Sequence, residues 1–333
     1  MTEKFVKNSF SIVIPCLNEE KYIENCIQSV LNQNYSSDLV EIIIVDGLST
    51  DNTPFILARL KSEFKNILLI QNPERKTPIS LNLGIKKAKN DYIIVLGAHA
   101  ELDSNFLFYN NKYLNEKGVK VVGGTQINRG RNYIQNAIGY AMESPFGMAS
   151  APYRWSKKEK FVDTVVYAAY KRELFEEVGG FEEKFTISED AELNWRIRNA
   201  GYKIFFSPEI KTYYKPRSTL IKFSKQMFRY GILRVNVLKK HINSIKLAHI
   251  IPPVFTLTLL IFLVLSITGV NITNVLMGFL IIYFAINIVI TFFQVFPKKI
   301  NYLLVIPVIN FLMHFLWGLG FVIGFFLPRS KRW

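Results

Sequence analysis

The first hundred residues alternate short apolar runs with segments whose apolar residues recur every three or four positions. The continuous runs predict strands buried on both faces, and they lie at residues 10–15, 40–46, 67–71 and 92–96. The segments between them predict helices that begin after Asn18, at Thr53 and at Thr77. This β-α-β-α-β-α-β order predicts an α/β fold, with a Rossmann-like, mostly parallel sheet and flanking helices.

The pattern becomes less regular after residue 97. Residues 119–124 and 160–166 are predicted strands, and residues 172–178 are a predicted helix that ends at Gly179. Residues 128–158 are rich in Asn, Gly, Pro and aromatic residues and have no clean periodicity. We interpret them as a long loop region, an excursion from the sheet, near the binding site of a second substrate, the acceptor.

The C-terminal third of the chain is apolar throughout. No Asp, Glu, Lys or Arg occurs at residues 247–297 or 300–328. A membrane-spanning helix needs about 20 apolar residues, so the first run predicts two spans, separated by the polar residues 271–274, and the second predicts one. Buried core helices are the alternative, but these are shorter and amphipathic. Asn310 and His314 would also permit a broken or re-entrant third segment.

Charge is concentrated just before this apolar region. The chain of 333 residues has a formal net charge of +15, yet residues 1–210 are balanced and residues 211–246 carry ten basic residues and no acidic one. A basic, amphipathic segment before a first span predicts an interfacial helix that contacts anionic membrane lipid. Nucleic acid is not an expected partner, because the basic patch belongs to a membrane approach rather than to a folded domain.

These observations predict four regions. They are a catalytic domain at 1–215, an interfacial segment at 216–246, a membrane region of about three spans at 247–328 and a basic tail at 329–333. The polar first eight residues are not a signal sequence, and Cys16 and Cys26 are expected to be small buried residues. We expect a multi-pass protein of the inner (plasma) membrane whose catalytic domain is cytoplasmic.

Parallel sheets of this kind often bind nucleotides at the carboxyl ends of their strands. The sequence has neither a Gly-x-Gly-x-x-Gly motif after the first strand nor a Gly-Lys-Ser/Thr phosphate loop. The residues that stand at the strand ends instead are mostly polar, namely Pro15, Asn18, Glu19, Asp46, Asp51 and His99. Carboxylates there suit a base or ribose, or a divalent cation shared with a phosphate.

Four motifs in order resemble the landmarks of family 2 glycosyltransferases with a GT-A fold. They are SIVIPCLNEE at residues 11–20, VDGLSTDNT at 45–53, SEDAEL at 188–193 and QMFRY at 226–230. The sequences GAHA at 97–100, VDTV at 162–165, SP at 207–208 and PRSTL at 216–220 resemble the succinoglycan-biosynthesis glucosyltransferase subgroup. The resemblance covers about residues 9–246.

The resemblance implies a donor-binding role for eight positions and a metal-binding role for one. The donor site would comprise Pro15, Asn18, Glu19, Asp46, Asp51, Gln226, Arg229 and Tyr230. His99 stands where the family's Asp-x-Asp motif has its metal-binding last residue, but Gly97 replaces the first Asp. This departure implies a weakly bound Mn²⁺ or Mg²⁺, with Mn²⁺ preferred by an imidazole ligand. Glu101 and Asp103 are alternative sources of a replacement oxygen.

The acceptor proton requires a base. Ser188 is a predicted helix cap that would place Glu189 and Asp190 in the first turn. Acidic residues stabilise a helix N-terminus without any catalytic role, so the position alone decides nothing. The resemblance implies that Asp190 is the base of an inverting transferase, with Glu189 as the second choice.

We therefore expect a membrane-bound inverting glycosyltransferase. It would move a hexose from a nucleotide-sugar, expected to be UDP-linked, to a lipid-linked glycan acceptor in surface or exopolysaccharide biosynthesis. One alternative is a processive polysaccharide synthase with its own export pore. A second, of another class, is a non-catalytic, membrane-anchored nucleotide-sugar-binding module, for which only Gly97 argues.

Overall fold

The computed structural model describes residues 6–184 and 189–327, which form two compact units. The first unit is Met1–Ile127 with Trp155–Lys215, and the second is Asn128–Arg154 with Pro216–Trp333. The helices are α1 Ile23–Leu31, α2 Thr53–Glu63, α3 Thr77–Lys87, α4 Phe106–Lys117, α5 Tyr133–Met142, α6 Leu174–Glu177, α7 Glu189–Asn199, α8 Leu220–Lys240, α9 Leu247–Ile267, α10 Thr273–Val295 and α11 Val305–Phe326. Of these, α5 and α8–α11 belong to the second unit.

A mixed sheet forms the centre of the first unit. Its strands are β1 Phe10–Cys16, β2 Val40–Asp46, β3 Ile67–Gln71, β4 Tyr92–Val95, β5 Ala100–Leu102, β6 Val121–Asn128, β7 Lys160–Val162, β8 Ala169–Lys171 and β9 Ile204–Tyr214. The order is β3-β2-β1-β4-β8-β6-β9-β5, and β7 also pairs with β9. The pairs among β1 to β4 are parallel, whereas β8 pairs antiparallel with β4 and with β6.

The parallel half follows directly from the apolar runs. Ile12 and Ile42 point to one face of the sheet and Val13, Ile43 and Ile93 to the other, and all five are completely buried, so neither face is exposed here. The register brings Cys16 of β1 opposite Asp46 of β2. The predicted α/β sheet and its first four strands are confirmed, and Cys16 and Cys26 are buried free thiols as expected.

Several predicted boundaries are wrong. Asn18 does not cap α1, which begins at Ile23, because its side chain binds the loop after β2 instead. Helix α2 does begin at Thr53 as predicted, but its N-cap residue is Asn52 and not Thr53. The strand predicted at 160–166 ends at Val162, since the chain then turns into a loop that leads to β8. The predicted cap Ser188 lies outside the described residues.

The second unit has its own apolar core. Ala137 and Ile138 of α5 pack with Phe223 and Met227 of α8 and with Ile309 of α11. Helices α8 and α11 approach so closely that a Cβ atom at Gly231 would lie 2.0 Å from the carbonyl oxygen of Trp317. Part of the apolar side of α8 is therefore covered by α11 rather than by lipid.

Three helices in the described part of the chain are long and apolar enough to cross a membrane, namely α9, α10 and α11. Each has 21 to 23 residues, which suits the hydrocarbon thickness of a bilayer. The third is one continuous helix, so a broken third segment is not observed. These helices indicate a membrane location.

Candidate active site

The carboxyl ends of three neighbouring strands bring most of the predicted site residues to one edge of the sheet. Strands β1, β2 and β4 are adjacent and parallel, so the loops that follow them leave at the same edge. The backbone N–H of Leu96 continues this ladder beyond β4 by donating to the carbonyl of Val13. The residues after Cys16, after Asp46 and after Leu96 thus lie side by side.

Asn18 and Asp46 are joined through the loop that follows β2. Asn18 has a left-handed backbone, with φ of 56°, and its side-chain oxygen accepts a hydrogen bond of 2.8 Å from the N–H of Thr50. Asp46 is buried, and its carboxylate accepts hydrogen bonds from the N–H and hydroxyl groups of Ser49, the latter at 2.5 Å. The Ser49 hydroxyl in turn accepts from the N–H of Asn18 at 2.8 Å. Asn18 and Asp46, both predicted to bind the donor, therefore hold the loop after β2 by hydrogen bonds. Pro15, which is half-buried, precedes them at the end of β1.

Asp51 holds the start of α2. Its carboxylate oxygens accept hydrogen bonds from the N–H of Thr53 at 3.0 Å and from the N–H of Glu20 at 3.2 Å. Slight burial raises the pKa of Asp51, but these hydrogen bonds outweigh it and leave the pKa below its ordinary value. This capping contact keeps the loops after β1 and β2 together, and a direct contact with the donor remains a prediction.

Glu19 and His99 face each other across the strand ends. The Nδ1 atom of His99 lies 3.4 Å from a carboxylate oxygen of Glu19, and both side chains are partly exposed. Two ligands bound to one Mn²⁺ or Mg²⁺ at ~2.1 Å and at a right angle would be ~3 Å apart, so this pair suits a shared divalent ion. Sequence reasoning assigned Glu19 to the nucleoside and missed its position beside His99.

Two other carboxylates considered as metal ligands are engaged elsewhere. Glu101 forms an ion pair of 2.6 Å with Lys215, and Asp103 accepts a hydrogen bond of 2.7 Å from the hydroxyl of Tyr213. Among residues 6–184 and 189–327, no group of three or more His, Cys, Asp and Glu side chains could hold a metal ion. Within these described residues, Glu19 and His99 are thus a candidate pair of ligands for a divalent cation, not a complete metal site.

Gly97 leaves space where the family has a carboxylate. A Cβ atom at this position would lie 3.9 Å from Cε1 and from the hydroxyl oxygen of Tyr167, which is ordinary van der Waals contact. Gly97 therefore has room for a Cβ atom.

The predicted base lies in the first turn of α7. Helix α7 begins at Glu189, so Glu189 and Asp190 both stand at its N-terminal end as predicted. Burial raises the pKa of Asp190, and the charge of the neighbouring Glu189 raises it further. Burial likewise raises the pKa of Glu189. Asp190 is thus a better proton acceptor than an ordinary exposed carboxylate.

The hydrogen bonds of two α7 side chains, Arg196 and Asn194, hold this helix in place, and sequence reasoning missed both. The completely buried Glu192 accepts two hydrogen bonds from Arg196, of 2.9 and 2.8 Å, to its Oε2 atom, and Arg196 also donates to the carbonyl of Gly180 at 2.7 Å. Asn194 donates to the carbonyl of Val165 at 2.9 Å and accepts from the hydroxyl of Tyr170 at 3.0 Å. The i, i+4 spacing of Glu192 and Arg196 was the available signal.

The remaining predicted donor residues belong to α8 in the second unit. Gln226 is buried and donates a hydrogen bond of 3.0 Å to the hydroxyl of Tyr230, which confirms their shared helical face. Arg229 is exposed on the same helix. A role for these three residues in binding the donor remains a prediction.

Comparison with known proteins decides the family. Residues 11–179 match the family model described as glycosyl transferase family 2. A Methanococcus voltae protein named dolichyl N-acetyl-alpha-D-glucosaminyl phosphate 3-beta-D-2,3-diacetamido-2,3-dideoxy-beta-D-glucuronosyltransferase is 31% identical, over 97% of this chain and 99% of its own length. The chain belongs to glycosyl transferase family 2.

One further relative agrees with the assignment of this family 2 transferase, and one solved structure shares its fold. Succinoglycan biosynthesis protein ExoA of Rhizobium meliloti (strain 1021) is 30% identical, over 72% of this chain and 73% of that protein. The structure of the mannosyltransferase PcManGT from Pyrobaculum calidifontis in complex with GDP-Man and Mn²⁺ has a TM-score of 0.64 at 19% identity, covering 92% of this chain and 88% of that one. The GT-A fold and the family predicted from the motifs are both confirmed, and the chain is a glycosyltransferase.

Proposed function

We propose that this family 2 transferase moves a hexose, with inversion at the anomeric carbon, from a nucleoside diphosphate donor to a lipid-linked saccharide. The product would enter a surface or extracellular polysaccharide. The proposal rests mainly on one observation: the Asp190 carboxylate stands at the start of α7, which is hydrogen-bonded to the loops around it, in the unit that also holds the loops after β1, β2 and β4. The raised pKa of Asp190 supports its role as a base.

The reaction needs one proton acceptor. The Asp190 carboxylate takes the proton of the acceptor hydroxyl while that oxygen attacks the anomeric carbon. The bond between this carbon and the diphosphate oxygen breaks at the same time, and its electron pair stays on the leaving diphosphate. Attack from the face opposite the leaving group inverts the configuration.

The donor occupies the edge formed by the loops after β1, β2 and β4. Asn18 and Asp46 shape the loop against which the nucleoside rests, and the family motif supports uracil as its base. Glu19 and His99 would hold a divalent cation, which supplies positive charge to the leaving diphosphate. With only these two protein ligands the cation is bound weakly.

The acceptor is carried by a lipid. Helices α9 to α11 anchor the chain, and α8 presents Lys222, Lys225 and Arg229 at its exposed face. Cationic residues next to a membrane attract anionic lipid, by about 1 kcal/mol each near the surface. The Methanococcus voltae relative is named for a dolichyl-phosphate-linked acceptor, which supports an acceptor of the same class here.

The test is a transfer assay with the full chain in lipid nanodiscs. UDP-hexoses, a UDP-uronic acid and GDP-mannose are supplied in turn, with a polyprenyl-phosphate-linked N-acetylglucosamine as the acceptor. We expect one UDP-sugar to give a single added residue of inverted configuration, detected by mass spectrometry and NMR. Long products would indicate a processive synthase, and donor binding without any transfer would indicate a binding module.

A further inference from the structure

The loop between β7 and β8 is fixed on both sides. Val165 and Ala168 are completely buried, and they approach β6 so closely that a Cβ atom at Gly123 would lie 2.9 Å from the Val165 Cβ atom. On the other side, Asn194 of α7 donates hydrogen bonds of 2.9 Å to the Thr164 hydroxyl and to the Val165 carbonyl. This loop is therefore held between the sheet and the helix that carries Asp190.

Tyr167 has an unusual backbone within this loop. Its φ is 52°, in the left-handed region that bulky residues rarely adopt. Such a conformation persists only where the surroundings impose it, and it is found preferentially at binding and catalytic sites. The buried neighbours Val165 and Ala168 impose it here, so the position of the Tyr167 ring is determined by packing on both sides of it in the chain.

The hydroxyl end of the Tyr167 ring lies beside Gly97. A Cβ atom at Gly97 would lie 3.9 Å from the phenol oxygen, so a side chain longer than alanine would extend into the space beside this hydroxyl group. Gly97 is two residues before His99, at the edge where the donor's diphosphate is expected. The missing carboxylate and the phenol are thus neighbours at the same point of the site.

We propose that the hydroxyl group of Tyr167 donates a hydrogen bond to the diphosphate of the nucleotide donor, beside the position where this chain has Gly97 instead of a carboxylate. This inference rests on the proposed function. A phenol is a neutral donor at pH 7, so it stabilises negative charge on the phosphate without a metal ion. It would partly offset the weakness of a cation site built on Glu19 and His99. Tyr167 is therefore a binding residue for the leaving group.

The test uses Tyr167→Phe, which removes one oxygen atom and keeps the ring. Binding of UDP and of uridine to the full chain in nanodiscs is measured by calorimetry in excess EDTA. A hydrogen bond to a charged group contributes ~1.5–3 kcal/mol, so we expect UDP to bind roughly 10- to 100-fold more weakly to the variant. Uridine has no phosphate, and its affinity should change less than twofold.

Tyr35→Phe is the matched control, because its hydroxyl donates to the carbonyl of Asn8, away from the strand ends. It should leave both affinities unchanged. UDP affinity of Tyr167→Phe within twofold of the wild type would overturn the inference, as would equal losses for UDP and uridine, which indicate a packing role alone. If Tyr167→Phe fails this test but the wild-type chain turns over a nucleotide-sugar with Mn²⁺ present, the inference falls and the proposed function stands. A wild-type chain that binds no nucleoside diphosphate would overturn both.

Discussion

The anchoring of α7 allows a quantitative prediction. In Arg196→Met, the carboxylate of Glu192 would remain completely buried and lose the three hydrogen bonds that Arg196 donates to it. Removing one partner of a buried ion pair costs ~3–5 kcal/mol, because the remaining buried charge loses the opposite charge beside it. Arg196 also donates to the carbonyls of residues 178–180, and those bonds are lost too. We therefore expect α7 to open more easily by at least ~3 kcal/mol.

Native-state hydrogen exchange of the full chain in nanodiscs measures this local opening. Amide protection within α7 should fall at least ~100-fold in Arg196→Met. The double variant Glu192→Leu with Arg196→Met leaves no buried charge, so it should recover most of the protection. Arg59→Met is the control, because its ion pair with Glu24 is exposed and should have no measurable effect.

Two results would refute this reasoning. Protection of α7 in Arg196→Met that stays within fivefold of the wild type would mean that the pair does not hold the helix. A double variant as poorly protected as the single variant would mean that the loss comes from packing or from the carbonyl contacts, not from the missing positive charge beside Glu192.

Three further predictions concern the metal, the pH profile and the topology. His99→Ala and Glu19→Gln should each raise the Mn²⁺ concentration that gives half-maximal transfer at least ~10-fold, whereas Gly97→Asp should lower it. Full turnover in EDTA that is unchanged in His99→Ala would show that the reaction needs no metal ion. Because Asp190 acts as its carboxylate and its pKa is raised, kcat should fall with decreasing pH through a pKa well above the ordinary ~4; an acid limb near 4 would contradict the assignment. If the basic segment is cytoplasmic and the chain crosses the membrane three times, a cysteine added after Trp333 should react with an impermeant reagent in intact cells. A cysteine that does not react would indicate an even number of crossings.

The sequence predicted those parts of the fold that depend on local patterns. Strands β1 to β4 are continuous apolar runs bounded by polar residues, and the three spanning helices are long runs without charge, so each is visible without any partner. Strand β8 has three residues, Ala169–Lys171, and its place between β4 and β6 depends on pairing with strands that are distant in the chain. Periodicity carries no signal for such a strand.

In the candidate site, too, sequence patterns predicted some residues, whereas contacts between distant residues were visible only in the structure. Asp46 and His99 were found because strand ends of a parallel sheet share one edge. The pairing of Glu19 with His99, and of Tyr167 with Gly97, joins residues about 70 to 80 positions apart, and only the folded chain brings them together. Asn18 was mistaken for a helix cap because a residue of that type suits both a cap and the left-handed loop conformation that it adopts.

The most direct test of the account is the rate of transfer by Asp190→Asn. The asparagine is nearly isosteric and keeps the helix start, but it cannot accept the acceptor's proton. With the full chain in nanodiscs, we predict a loss of kcat of ~10²–10⁴-fold and a donor affinity within about threefold of the wild type. Transfer within threefold of the wild type at saturating substrates would contradict the assignment of Asp190 as the base, and with it the proposed mechanism.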